Sequence, residues 1–399
     1  MKIKSIHKSS TESFSMLKKY FFIILTSIGL FFSCAEPKNE IIKSKLSSLQ
    51  TALASKNPKI KTVIDALDAH EIQIIYTEIE RKNDSLKFID HIFQLDSTQY
   101  FFPASTVKLP ISVLTLAKLN TIPNMNRDTR FFVEGDTLET TFAKEIEKAL
   151  IVDDNEAYNR LFEFLGQDYI NKELENIGLK STRISNRIAT ENSEEITTKP
   201  LVVFENDSTT TILNGTINTS ARSILKNKIK KGIGFYEEDS LMNEPFDFSL
   251  KNYYPIKEQH QLLKTLMFSE KYKAHEKLNL TKEQLSFIHS TLNTIPKKQG
   301  YDPIIYHDSY CKYFMFGDHK ENIPEHIKIY NKTGKEYGTL TETAYIIDNK
   351  NNIEFMISAT ILANKNGIFN DDSYEYEEIG IPFLAQLGRE LNTIELNQK

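Results

Sequence analysis

The strand-like segments of this sequence lie at its two ends, separated by a long stretch of helical pattern. Near the start, Ile72, Ile74 and Tyr76 fall on alternate positions, the turn Lys82-Asn83-Asp84-Ser85 follows, and a second apolar run covers 86–95. Near the end, 327–331, 339–347 and 353–362 have the composition of strands, with turns expected at Gly334 and at 348–352. Side chains alternate across a strand, so such runs mark segments with a buried face. Between them, 104–119 is an almost entirely apolar helix candidate, and 141–179 has helical pattern broken by Gly166 and Gly178. Further helices are expected at about 257–268 and 281–293, and a closing helix sets Phe383, Leu387 and Leu391 on one face. Segments so far apart share one sheet only if the middle of the chain is an excursion from it. The reading is α+β: an antiparallel sheet of about five strands built from both chain ends, flanked by helices, with an inserted all-helical lobe. The sheet lobe takes 58–103 and 295–399, and the helical lobe 104–294. A Thr-, Asn- and Lys-rich part, 200–255, with a possible hairpin at 201–211, receives no role from the sequence.

Charge separates the amino terminus from this body. Residues 1–33 carry five Lys and one Glu, whereas the whole chain has 49 Lys plus Arg against 54 Asp plus Glu, net −5. An acidic body lacks the basic face that a nucleic-acid backbone requires, so no nucleic-acid partner is expected. Lys18-Lys19, the 13-residue apolar run 20–32 and Ser33-Cys34 form a signal-peptide pattern. The run is shorter than the ~20 residues of a membrane-spanning helix. A cysteine directly after it resembles a bacterial lipoprotein signal, although Phe31 stands where leucine is usual. The reading is signal peptide 1–33, lipidation at Cys34, a polar tether 34–57, and a domain 58–399 in the bacterial cell envelope, facing the periplasm or associated with the outer membrane. With Cys34 lipidated, Cys311 has no partner and is expected to be a small buried residue. Two cysteines and nine histidines without ligand spacing make no metal site, and neither a metal nor a cofactor is expected.

Ser105-x-x-Lys108 opens the apolar helix candidate, in 101-FFPASTVKLP-110. Three residues along a helix return to the same face, so the Lys108 amine can reach the Ser105 hydroxyl, and the free N–H groups of a helix start favour negative charge there. This is one way of building an activated nucleophile. The spacing alone says little, because Ser-x-x-Lys also begins at Ser5, Ser15, Ser223 and Ser309. The setting distinguishes Ser105: a Pro-containing turn leads into a helix that would bury the pair between the lobes. Asp153-Asp154-Asn155 follows, and later Asn331-Lys332-Thr333-Gly334 at a strand end. Singly, Asp-Asn is a common cap and Lys-Thr-Gly an ordinary strand exit.

Taken in order, Ser105-x-x-Lys108, Asp154-Asn155 and Lys332-Thr333-Gly334 resemble the class A β-lactamase and penicillin-binding protein superfamily over roughly 58–395. The resemblance implies that Ser105 attacks a strained or terminal amide carbonyl and that Lys108 is its base. It implies an oxyanion held by the backbone N–H groups of Ser105 and Lys335, a substrate amide held by Asn155, and a substrate carboxylate held by Lys332 and Thr333 beside Gly334. The substrate expected is a β-lactam, with a peptidoglycan D-Ala terminus or an ester as the rival, and the protein is expected to be a monomer. A third reading is an envelope binding protein that keeps the fold without the chemistry.

Two departures bear on activity. Asp153 stands where the family has a serine that passes a proton to the leaving nitrogen, and a carboxylate there favours a charged Lys108 unless Lys332 neutralises it. The family also draws a deacylating glutamate from a loop that 182–195 resembles. In the direct register that position is Ala189, and Glu191 serves only after a shift of two residues, with Glu194 and Glu195 read as a solvated face.

Overall fold

The computed structural model describes residues 46–83, 85–220 and 226–398. The signal peptide, Cys34 and the expected tether up to residue 45 lie outside the described residues. The rest of that tether is not one. Ser47 caps the helix Ser48–Leu53 through a reciprocal bond with Gln50, and Leu49, Ala52 and Leu53 enter the core. Three apolar residues at i, i+3 and i+4 suffice when a sheet is present to receive them, so the domain begins by Leu46.

Five antiparallel strands form the central sheet in the order Ile327–Glu336, Thr339–Asp348, Ile353–Leu362, Gln73–Lys82, Ser85–Phe93. The amino-terminal pair therefore joins the carboxy-terminal three through Gln73↔Thr360 and the residues that follow. The turn expected at Gly334 falls instead at Tyr337 and Gly338, both with positive φ, as a two-residue hairpin between paired Glu336 and Thr339 requires. Lys332-Thr333-Gly334 thus lies inside the strand. One face of the sheet packs on the carboxy-terminal helix Ile381–Asn397, where Phe383, Leu387 and Leu391 meet Ile74, Ile329, Phe355 and Ile357. No helix among the described residues is long and apolar enough to cross a membrane.

The other face carries the insertion. Lys108–Leu119 is buried nearly all round and is surrounded by Phe142–Ile151, Asn155–Leu165 and Gln167–Asn176. The insertion is not all-helical, contrary to the sequence reading. Arg130–Val133, Thr140–Thr141, Leu201–Asn206 and Thr209–Leu213 make a four-stranded sheet whose inward side chains Phe131, Val133, Leu201 and Val203 join the helical core. The described part of 226–255 folds as short strands and loops, and Phe246, Phe248 and Tyr253 form one aromatic cluster with Tyr100, Phe102 and Phe369. That cluster underlies the turn that delivers Ser105.

Candidate active site

Ser105 lies in a short 3-10 turn, Ala104–Val107, which becomes the α-helix at Lys108. Three residues per turn bring positions i and i+3 almost directly over one another, closer than the α-helical spacing assumed from sequence. The turn is entered through Ala104 at φ +45, a conformation a non-glycine residue rarely adopts, and Thr106 Oγ1 donates to Pro103 O at 2.7 Å. Lys108 is fully buried, with Nζ 2.8 Å from Ser105 Oγ.

The Asp153 segment closes the site from the opposite side. Helix Phe142–Ile151 ends, Asp153 takes φ +62, and Asp154 caps Asn155–Leu165 by accepting from Ala157 N–H at 2.8 Å. The outer residues of Asp153-Asp154-Asn155 are thereby left facing Lys108. Its Nζ donates to Asp153 O at 2.7 Å, Asp153 Oδ1 at 2.8 Å and Asn155 Oδ1 at 2.7 Å. Lys332, also buried, reaches the same Asp153 Oδ1 at 2.7 Å and Thr333 O at 2.9 Å. Two ammonium groups thus share one carboxylate. Burial raises the Asp153 pKa, but Lys108 and then Lys332 more than offset it, and the carboxyl is held below its ordinary range. Burial also drives Lys108 below the usual lysine value; Asp153 opposes this and Lys332 adds to it. The cluster has one positive charge in excess, and losing a proton from Lys108 removes that charge.

Asp153→Ser follows as a test of this balance. Removing the carboxylate takes away the group that holds the proton on Lys108, and each pK unit so released increases the neutral amine about tenfold. Acylation of Ser105 is expected to speed up by about that factor for each unit. A rate no faster than the parent's, measured by adduct formation over time, would sink the idea that Asp153 slows the first step.

The strand Ile327–Glu336 is an edge strand and runs past the serine turn. A Cβ on Gly334 would lie 2.7 Å from Pro103 O and 2.9 Å from Ser105 N, so only glycine lets the strand pass this close. Lys335 borders a cleft of about 400 Å3 with Asp153, Ser309, Tyr310, Lys320 and Glu377. Tyr310 is 37% exposed and lines this cleft. Cys311 is partly exposed rather than fully buried, and burial still raises its thiol to about 11.

The structure brings Ser105, Lys108, Asp153, Asn155 and Lys332 into one hydrogen-bonded cluster, with Thr333, Gly334 and Lys335 on the adjoining strand. It does not bring Glu191 to them. Glu191 is exposed on the loop, and no hydrogen bond joins it to the cluster. The loop is fixed in register by Ile188 N–H donating to Asn159 Oδ1 and by Arg187 pairing with Glu163, so the shift that would turn Glu191 inward is not made. A carboxylate that the sequence reading passed over, Glu336, lies two residues beyond Gly334.

Residues 57–226 match the sequence profile of the Beta-lactamase enzyme family, a span that contains Ser105, Lys108, Asp153 and Asn155 and stops short of Lys332. The fold is that of the β-lactamase superfamily. Among solved structures, L2 complexed with relebactam aligns at 14% identity over 87% of this chain and 98% of its own, with a TM-score of 0.50. A β-lactamase from Desulfarculus baarsii aligns at 13% identity over 88% and 99%, with a TM-score of 0.51. At such identities the likeness speaks for the β-lactamase fold alone. No curated protein matches the sequence.

Proposed function

We propose that this protein is an exported serine hydrolase of the class A β-lactamase type, opening a β-lactam amide through an acyl-serine intermediate. The observation that carries the reading is the buried Lys108 amine 2.8 Å from Ser105 Oγ and bonded to Asp153, which lines an open cleft. Lys108 takes the Ser105 proton as Oγ adds to the carbonyl carbon, the backbone N–H groups of Ser105 and Lys335 receive the oxyanion, and as the C–N bond breaks the Lys108 ammonium gives that proton to the leaving nitrogen. Asn155 holds the substrate amide. Lys332 and Thr333 hold its carboxylate, which competes with Asp153 for the Lys332 ammonium. Attachment to the envelope through Cys34 belongs to the same proposal and rests on the sequence.

A second reading, a penicillin-binding or peptidase-like enzyme whose acyl-serine persists, is favoured by the exposed Glu191. Time-resolved intact-mass spectrometry of the purified protein with a penicillin and a cephalosporin separates the two. A Ser105-dependent adduct that clears as hydrolysed drug accumulates is the expected result, and Ser105→Ala gives none. A stable adduct supports the second reading, and no adduct with either drug removes both.

A further inference from the structure

Side chains alternate along the strand Ile327–Glu336. Asn331 accepts from Lys312 Nζ at 2.7 Å on one face, whereas Lys332 on the other donates to Asp153 Oδ1 at 2.7 Å. Gly334 and Glu336 share the face of Lys332. Gly334 marks the point where this face meets Ser105 N, so Glu336 is displaced from the serine turn by two residues, about 7 Å along the strand, on the side opposite Lys332.

On that side lies a second cavity, of about 160 Å3, bordered by Phe102, three residues before Ser105. Glu336 and Tyr337 form one wall, Asn186, Ile188 and Ala189 of the loop form the other, and Phe102 and Asn252 border them. A bulk water occupies about 30 Å3, so this space holds several. The loop side offers no carboxylate, since Ala189 stands where the register of the resemblance asks for one. The only carboxylate bordering the cavity is Glu336, and among the described residues no hydrogen bond or ion pair engages it.

We propose that Glu336 is the general base for deacylation, supplied from the strand in place of a loop glutamate. The proposal rests on the acyl-serine reading above. A water in the cavity loses a proton to the Glu336 carboxylate as its oxygen bonds to the ester carbonyl carbon, and the oxyanion forms between the two backbone N–H groups. On collapse the bond from carbon to Ser105 Oγ breaks and the proton on Glu336 passes by way of the Lys108 amine to Oγ, which leaves Lys108 neutral and Glu336 ionised for the next turnover.

The electrostatic setting suits such a base. Burial raises Glu336 to about 7; Lys108 lowers it, Asp153 raises it and Lys251 lowers it. Arg187 and Tyr337 also border the cavity, and Lys251 is engaged by Glu194 at 3.1 Å. A base with a pKa near the working pH combines sufficient ionisation with sufficient basicity.

The test follows a pulse of penicillin by intact mass in the parent and in Glu336→Gln, which keeps the shape and removes the base. Both are expected to form the Ser105 adduct, with clearance slower by about 10²–10⁴-fold in the variant. Parent clearance should fall as pH drops through about 7, where Glu336 takes up a proton, and the residual clearance in the variant should be flat over that range. Adding Ala189→Glu to Glu336→Gln returns a carboxylate to the facing wall and should restore clearance. Equal clearance in parent and Glu336→Gln, or a parent adduct that never clears, overturns the role of Glu336 and leaves the acyl-serine reading intact. Absence of any adduct on the parent overturns both.

Discussion

Lys108→Met is expected to slow acylation of Ser105 by about 10²–10⁴-fold without unfolding the protein. Four polar atoms surround the Lys108 amine, and three of them, Asp153 O, Asp153 Oδ1 and Asn155 Oδ1, can only accept from it. Ser105 Oγ at 2.8 Å is the one neighbour that can give it a proton. An ammonium spends its three N–H groups on the three acceptors, and once one proton has left, the lone pair is available to the hydroxyl. Methionine fills a similar volume with nothing to accept that proton. It also leaves no orphaned charge, because Lys332 still holds Asp153 Oδ1 at 2.7 Å. Adduct formation measures the loss, and a melting curve close to the parent's separates it from misfolding. Acylation within threefold of the parent would shift the base role to Asp153, the carboxylate of the cluster.

The parts of this site that were legible in the sequence are those set by local geometry. Ser105 and Lys108 are three residues apart on one turn, and Asp154 caps the helix that begins with Asn155, so each motif builds its own placement. Lys332 was legible through its motif with Thr333 and Gly334, although the sequence reading ended the strand one residue before it. Glu336 was not: a glutamate near a strand end looks solvated, and its burial comes from Ile188 and Ala189 and from Asn252, residues far along the chain. Glu191 misled for the matching reason, since the loop register is fixed by Asn159 and Glu163 rather than by the loop's own residues. The small sheet in the insertion escaped because Arg130–Val133 is four residues long and pairs with Leu201–Val203 across about seventy residues of chain. Four positions offer too few alternations to separate a strand from a loop.

Arg187→Met is expected to cost about 3–5 kcal/mol of stability, the largest single loss anticipated away from the hydrophobic core. Arg187 forms a two-pronged pair with Glu163, Nε to Oε1 at 2.6 Å and Nη2 to Oε2 at 3.0 Å, with side chains only 2% and 6% exposed. The same guanidinium donates to Glu195 O at 2.8 Å and Thr197 O at 2.9 Å, tying both ends of the loop to one anchor. Removing it leaves the Glu163 carboxylate buried with only the Lys199 N–H at 2.8 Å. Adding Glu163→Gln to Arg187→Met should recover part of the loss, because the neutral amide no longer needs a counter-charge. The midpoint of urea unfolding at unchanged slope reads both effects. The loop wall of the small cavity moves with its anchor, so the lifetime of the acyl adduct should lengthen in Arg187→Met even under conditions where the fold persists. A loss below about 1 kcal/mol would mean that Asn252, which accepts from Ser185 and Asn186 N–H at 2.9 and 3.0 Å, and Asn159 hold the loop without the ion pair.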